Sequence, residues 1–330
     1  MQQNGTVWTD TEGQPIQAHG GQIIVADGYY YWYGEDRREN RYVSCYRSTD
    51  LVHWTFRNYV LTTDSPAAAI RQKTDLRLVR DDGGKVNIER PKVLYCPQTG
   101  RYVMWAHYEN GHDYLDARAC IASCDTPDGD FVYHGSFNPY GHMSRDCTLF
   151  RDDDGKAYFL SAARDNLDLH VYLLTDDYLN VRRHVNTLWQ GEMREAPAVF
   201  KRNGRYYILS SWCTGWQPNQ GKFGVGDSMD GLFTELRDFG DETTFRSQPA
   251  FVLPVSYGCT TEYLYFADRW CWAPKELPPE ELPPEERRRR MMTYYTQSSY
   301  VVLPIRFRGG TPSIAYEAQP ELGVGTAASV

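Results

Sequence analysis

The sequence has no basic excess, no long apolar run and no dense cysteine pattern. Its 330 residues carry a formal net charge of −8. Nucleic acid and anionic membrane surfaces recruit basic patches, so neither is expected as a partner. The one basic run, Arg287 to Arg290, follows an acidic, Pro-rich stretch and reads as a solvated loop or short helix. No stretch reaches the ~18 apolar residues that a membrane-spanning helix needs. Met1 to Asp10 lack the basic-then-apolar pattern of a signal peptide. The chain is expected to be cytoplasmic if Met1 is the native start, and secreted or periplasmic if a signal peptide was trimmed. Eight cysteines form no CxxC pair and no zinc spacing with histidine. They read mainly as small buried hydrophobes, with disulfides left open. GxSxG, HExxH and P-loop motifs are absent, which removes three common routes to hydrolysis and nucleotide binding. No cofactor and no metal is expected.

Aromatic residues are abundant: 25 Tyr, 9 Trp and 13 Phe. Such rings suit pleated, half-buried surfaces, and most read as core. They also suit sugars, whose apolar C–H faces stack on Trp or Tyr. A weak repeat organises them. A Gly turn leads into an aromatic strand at Tyr29-Tyr30-Tyr31-Trp32-Tyr33, Tyr102-Val103-Met104-Trp105, Tyr158-Phe159-Leu160 and Tyr206-Tyr207-Ile208-Leu209. A second strand then ends in an Asp-, Ser- or Thr-rich turn. A degenerate fifth copy pairs Tyr263 to Asp268 with Tyr300 to Ile305. Short strands between Gly and Asp turns, repeated five times, predict an all-β chain folded as a five-bladed β-propeller. Phe159-Leu160 and Ile208-Leu209 are apolar on both faces, as blades packed between neighbours require. One propeller domain is expected over 1–330, with a Pro/Glu/Arg-rich insertion at about 274–292 in the last blade. Its prolines forbid a continuous helix.

Two segments carry the chemistry. Ile88-Glu89-Arg90-Pro91-Lys92-Val93 and Arg194-Glu195-Ala196-Pro197 each set a Glu two residues before a Pro and an apolar strand. The two Glu fall at equivalent places in blades 2 and 4, where inner strands converge on one channel mouth. Paired carboxylates in a cleft suit glycosidic hydrolysis, one of them an acid with a raised pKa. Each Glu alone reads better as a turn cap or a partner of its neighbouring Arg, and it is their matched positions in two blades that favour function. The matching places elsewhere are Gln17-Ala18-His19-Gly20-Gly21 in blade 1, Gly141 to Asp146 in blade 3 and Phe245 to Ala250, with Gln248, in blade 5. Asp146, with Arg145 beside it, is a third acid that can tune the channel carboxylates or hold a sugar hydroxyl, and it reads equally as a structural partner of that Arg. A channel-facing series Gln17, Glu89, Asp146, Glu195, Gln248 is expected. His19 and His142 are the histidines that can point to the axis.

At these residues the sequence resembles glycoside hydrolase family 43, most closely its exo-β-1,3-galactanase branch. The segments are Ala18-His19-Gly20-Gly21, Tyr31-Trp32-Tyr33-Gly34-Glu35, Glu89-Arg90-Pro91-Lys92-Val93, Gly141 to Asp146, Arg194-Glu195-Ala196-Pro197, Cys213 to Gln220 and Ser247-Gln248. The resemblance implies an inverting mechanism. Most of the family has an Asp base on the first blade, a second Asp that tunes pKa, and a Glu acid. Gln17-Ala18-His19 stands where that base would sit, a loss the galactanase branch shares. By the resemblance Glu195 is the acid. Gln248 positions or activates the water, as an amide or as its imidic acid tautomer. Glu89 is a further essential carboxylate that tunes the acid or holds the sugar. Its charge is expected to raise the Glu195 pKa. Glu35, Tyr114, Asp146 and Thr214 match positions lining the sugar pocket. Trp216 and Asn219 are added here as a stacking platform and a hydroxyl partner.

The reading is an inverting, exo-acting hydrolase of β-1,3-galactan that works as a monomer and takes an oligo- or polysaccharide as its partner. An α-L-arabinofuranosidase or β-xylosidase, and a non-catalytic galactan-binding propeller, remain alternatives.

Overall fold

The computed structural model describes residues 2–271 and 283–322. Four blades are four-stranded antiparallel meanders and the fifth has three strands. Blade 1 holds β1 (His19–Ala26), β2 (Tyr29–Glu35), β3 (Arg41–Ser48) and β4 (Thr55–Thr62). Blade 2 holds β5 (Asn87–Cys96), β6 (Arg101–Glu109), β7 (Arg118–Cys124) and β8 (Val132–Phe137). Blade 3 holds β9 (Cys147–Arg151), β10 (Ala157–Ala163), β11 (Asp168–Leu174) and β12 (Val181–Leu188). Blade 4 holds β13 (Arg194–Arg202), β14 (Arg205–Trp212), β15 (Gly221–Gly226) and β16 (Arg237–Phe239). Blade 5 holds β17 (Gln248–Tyr257), β18 (Thr260–Arg269) and β19 (Ser299–Pro304). The first strand of each blade touches the first strands of its two neighbours, and β17 touches β1. The ring is therefore closed, with five inner strands around the axis.

Period-two alternation builds the core. Each blade offers both faces to a neighbour, so alternate residues serve different interfaces. Tyr31 and Tyr33 pack toward blade 2, while Tyr30 and Trp32 pack toward blade 5. Phe159 joins the interface with blade 2 and Leu160 the one with blade 4. Five buried apolar clusters result, one per interface.

With three strands, blade 5 would end on an open edge at β19, which invites unwanted pairing. The start of the chain covers it. Gly5 N–H donates to the Tyr300 carbonyl at 2.9 Å. The Asn4 side chain bonds Val302 as a strand would, accepting from its N–H at 2.7 Å and donating to its carbonyl at 2.8 Å.

The expected insertion partly lies outside the described residues. Its second half does form a helix, α1 (Pro284–Tyr295). Pro284 takes the first helical position, where a missing N–H costs nothing. The helix therefore begins where the prolines end, with none beyond its first position. Among the described residues all eight cysteines are free, and four of them are buried: Cys45, Cys96, Cys120 and Cys147. No helix there is long and apolar enough to cross a membrane.

Candidate active site

The Glu-x-Pro motif encodes a β-bulge. Glu89 pairs with His107, and the next pair is Lys92 with Trp105, so two residues face one. Glu195 pairs with Ser211, and the next pair is Ala198 with Leu209. The residue after each Glu is left-handed, Arg90 at φ 51° and Ala196 at φ 50°. The following proline has no N–H to offer the ladder, which suits a bulge. Blade 1 makes the same bend between His19 and Gln22, with Gly20 at φ 58°. A Cβ on Gly20 would lie 2.6 Å from Glu35 Oε1, so a side chain there would have to displace that carboxylate.

This register corrects the sequence alignment of blade 1. His19, not Gln17, occupies the place of the two Glu. Gln17 is buried and donates to the Thr296 carbonyl at 3.0 Å. It lines no part of the cavity. His19 is also engaged elsewhere, 3.0 Å from Asp268 Oδ1 and stacked on Tyr300. His142 lies on the outer side of blade 3, beside His170 and His184.

The bulges aim side chains into one cavity of about 310 Å³. Its walls are Glu35, Arg37, Glu89, Arg90, His107, Tyr114, Arg145, Asp146, Asn166, Glu195, Gly215, Trp216, Gln248 and Trp270. Seven of the nine predicted site residues therefore come together. Thr214 and Asn219 are not among the lining residues. They fold the loop that carries Trp216. Asn219 clasps the Trp212 backbone with bonds of 2.9 and 2.8 Å and donates to Thr214 Oγ1 at 2.6 Å. Asn219 also borders an adjoining, smaller cleft.

On the blade 4 side, Asn166 donates to Glu195 Oε1 at 2.7 Å. Burial and then the charge of Asp146 raise the Glu195 carboxyl to about 7. Asp146 is fixed there by Arg90 Nε at 2.7 Å and the Ala196 N–H at 3.1 Å. The expected tuning by Glu89 is not what raises Glu195; Asp146 is the charge responsible.

On the blade 2 side, Glu89 Oε1 accepts from Arg37 Nη2 at 2.9 Å and the Tyr114 hydroxyl at 2.8 Å. His107 Nδ1 stands 3.5 Å from Glu89 Oε2, with its Nε2 2.8 Å from Glu109 Oε1. Burial pushes the Glu89 carboxyl up, but Arg37, His107 and the Tyr114 hydroxyl outweigh it and hold it below the usual carboxylate range. Burial lowers His107, while Glu109 and Glu89 raise it above its ordinary value. Glu89, His107 and Asp146 lie close enough to share a cation. Arg37 and Arg90 already supply positive charge there.

Between the two sides runs Arg90. It donates to Gln248 Oε1, to the Pro249 carbonyl at 2.9 Å and, through its backbone N–H, to Glu35 Oε1 at 2.9 Å. Gln248 Oε1 also accepts from Trp270 Nε1 at 2.7 Å, and its Nε2 donates to Ser211 Oγ at 3.0 Å. Glu35 Oε2 takes Arg37 Nη2 at 2.8 Å and the Tyr295 hydroxyl at 3.2 Å. Glu35 thus anchors Arg37, which in turn neutralises Glu89. Trp216 and Trp270 meet edge to face at 5.0 Å, and Trp270 stacks on Tyr295 at 5.6 Å. The last turn of α1 therefore braces the aromatic wall.

Sequence reasoning assigned no role to Arg37, Arg90, His107, Asn166, Trp270 or Tyr295. Two signals were present: Arg90 sits inside Glu-Arg-Pro, and Arg37 follows Glu35 by two residues. His107 and Asn166 carry no local signal, because only cross-strand pairing and blade packing bring them in.

A family model described as glycosyl hydrolases family 43 matches residues 15–234. Among solved structures, the chain is similar to an exo-β-1,3-galactanase from Clostridium thermocellum. The identity is 40%, over 99% of this chain and 68% of that one, with a TM-score of 0.85. It is also similar to an exo-β-1,3-galactanase from Phanerochaete chrysosporium in a structure with β-1,3-galactotriose. There the identity is 30%, over 99% of this chain and 70% of that one, with a TM-score of 0.79. No curated protein sequence matches.

Proposed function

The chain belongs to glycosyl hydrolase family 43 and is a glycoside hydrolase, and from that premise we propose that it is an inverting, exo-acting hydrolase of β-1,3-galactan that releases galactose. The observation that carries the reading is the pair of unlike carboxyls in one cavity, Glu195 raised to about 7 and Glu89 held low. Similarity to two exo-β-1,3-galactanases supports the choice of sugar.

Glu195 is the general acid. It still holds its proton near neutrality and delivers it to the leaving glycosidic oxygen as the bond to the anomeric carbon breaks. Glu89 is ionised and offers acceptor oxygens to sugar hydroxyls, with Arg37 and Tyr114 fixing its direction. Gln248 positions the attacking water from the opposite side. Its carbonyl oxygen accepts from both Arg90 and Trp270. In the imidic acid tautomer that oxygen would carry a proton and face two donors, so the ordinary amide is favoured. One amide hydrogen is held by Ser211, and the second is the group that can orient water. Trp216 and Trp270 offer the face on which a galactose ring stacks. A cavity of about 310 Å³ suits a terminal sugar better than a chain passing through. The enzyme acts as a monomer.

Incubation with linear β-1,3-galactan, followed by proton NMR, tests this. Galactose appearing first as the α anomer is the expected result. Oligosaccharides of mixed length, or β-galactose as first product, would contradict exo action or inversion. Tight binding with no product would favour a sugar-binding propeller.

A further inference from the structure

Three histidines gather on the outer half of blade 3, away from the cavity. His170 lies on β11, His184 on β12, and His142 on the connection that enters β9. One ring nitrogen of each lies within 4.8 Å of those of the other two. Ring centroids are 4.6 Å apart for His170 and His184, and 4.9 Å for His142 and His170. None of the three lines the catalytic cavity.

The cluster is built rather than incidental. His170 and Tyr172 point to one face of β11, and Tyr172 pairs with His184 across the ladder. The Tyr172 hydroxyl is 3.0 Å from His170 Nδ1, and Thr187 Oγ1 is 3.2 Å from His184 Nε2. Hydrogen bonds of this kind fix the orientation of an imidazole ring. Tyr140 lies parallel to Tyr172 and donates to the Arg182 carbonyl at 2.8 Å. That contact holds the turn before His142 against β12. His170 is buried, while His142 and His184 are half-buried and reachable from solvent.

We infer that His142, His170 and His184 form a site for one divalent transition ion of the imidazole-preferring class, with Zn²⁺ as its typical occupant. Zinc accepts three imidazoles at about 2.0–2.1 Å and leaves a fourth position to water. Tetrahedral geometry sets the nitrogens roughly 3.4 Å apart, so the rings must close in from the 4.8 Å within which their nitrogens lie. Calcium and magnesium prefer oxygen ligands and do not compete. Ligation ties the segment from Pro139 to Asp146 to the outer strands of blade 3. That segment ends on Arg145 and Asp146, which line the cavity. The ion is a clamp on the fold and takes no part in the chemistry.

The test is titration of metal-stripped protein with zinc chloride by calorimetry, joined to X-ray absorption of the loaded protein. Wild type is expected to take up one Zn²⁺ at a site of three imidazole nitrogens at about 2.0–2.1 Å, in the presence of excess Ca²⁺. His142→Ala and His184→Ala, each checked for folding by circular dichroism, should bind about 100-fold more weakly or worse. His53→Ala and His112→Ala, at exposed positions elsewhere, should bind as wild type does. Absence of saturable uptake, unchanged affinity in both cluster variants, or sulfur among the zinc neighbours would overturn the site. His170→Ala is left out of the decision because it opens a hole at a buried position.

Discussion

Glu89 on blade 2 and Glu195 on blade 4 stand at the same backbone position. Each precedes a left-handed residue and a proline in a bulged inner strand. Their chemistry differs because their neighbours differ. Glu89 faces Arg37, His107 and Tyr114, so charge and hydrogen bonding overcome burial. Glu195 faces Asp146 and an Asn166 amide, so burial and a like charge act together. The backbone repeat supplies two carboxyls at one mouth, and the flanking blades decide which one keeps its proton. Position follows from the repeat, and acidity from what is not repeated.

The largest expected effect is at the protonated acid. Glu195→Gln should lower kcat by about 10³-fold, within the usual range for losing a general acid. Wild-type activity should fall as pH rises through about 7, because the acid must hold its proton. That alkaline limb should vanish in the variant, as read from steady-state pH profiles on galactan. Glu89→Gln should cost roughly 10–100-fold in kcat/KM, the worth of lost bonds to a charged group. It should leave the limb where it was. A limb that shifted toward acid in Glu89→Gln would restore Glu89 as the tuning charge. Asp146→Asn should instead move the limb toward acid by about one pH unit, since the charge that lifts Glu195 is gone.

How much of this was legible in sequence depends on what encodes it. Blade count and strand faces were readable, because Tyr-Trp-Tyr runs alternate between two interfaces. The Glu-x-Pro segments were readable because a proline in an inner strand marks a bulge. Blade 1 misled, since Gly20-Gly21 makes the same bend without a proline and the series slipped to Gln17. The tuning charge was half legible: Asp146 reads in sequence as an acid able to tune its neighbours, but the effect on Glu195 was given to Glu89. Glu89 shares Glu195's motif, but Asp146 is tied to the Ala196 N–H by a contact between blades 3 and 4. Tyr295 escaped notice because it arrives on a helix some 260 residues after Glu35 in the chain.

The smallest effect is on stability. The folded Glu195 carboxyl titrates at about 7 against an ordinary 4.5. Its contribution is therefore intact below about pH 4.5 and is lost as pH rises through 7. That loss is on the order of 2 kcal/mol for a carboxyl this buried. Glu195→Gln should raise Tm over wild type at pH 8 and leave it nearly unchanged at pH 4.5, by thermal melts in matched buffers. Equal differences at both pH values would mean that Glu195 is not strained by ionisation.

The most direct test of the division between the two acids is a carbon-13 NMR titration of the glutamate side-chain carboxyls. Assignment would come from Glu195→Gln and Glu89→Gln. The expected result is a Glu195 carboxyl titrating near 7 and a Glu89 carboxyl titrating below the ordinary glutamate range. A Glu195 that ionises in the ordinary range, or a Glu89 that keeps its proton to neutrality, would contradict the account.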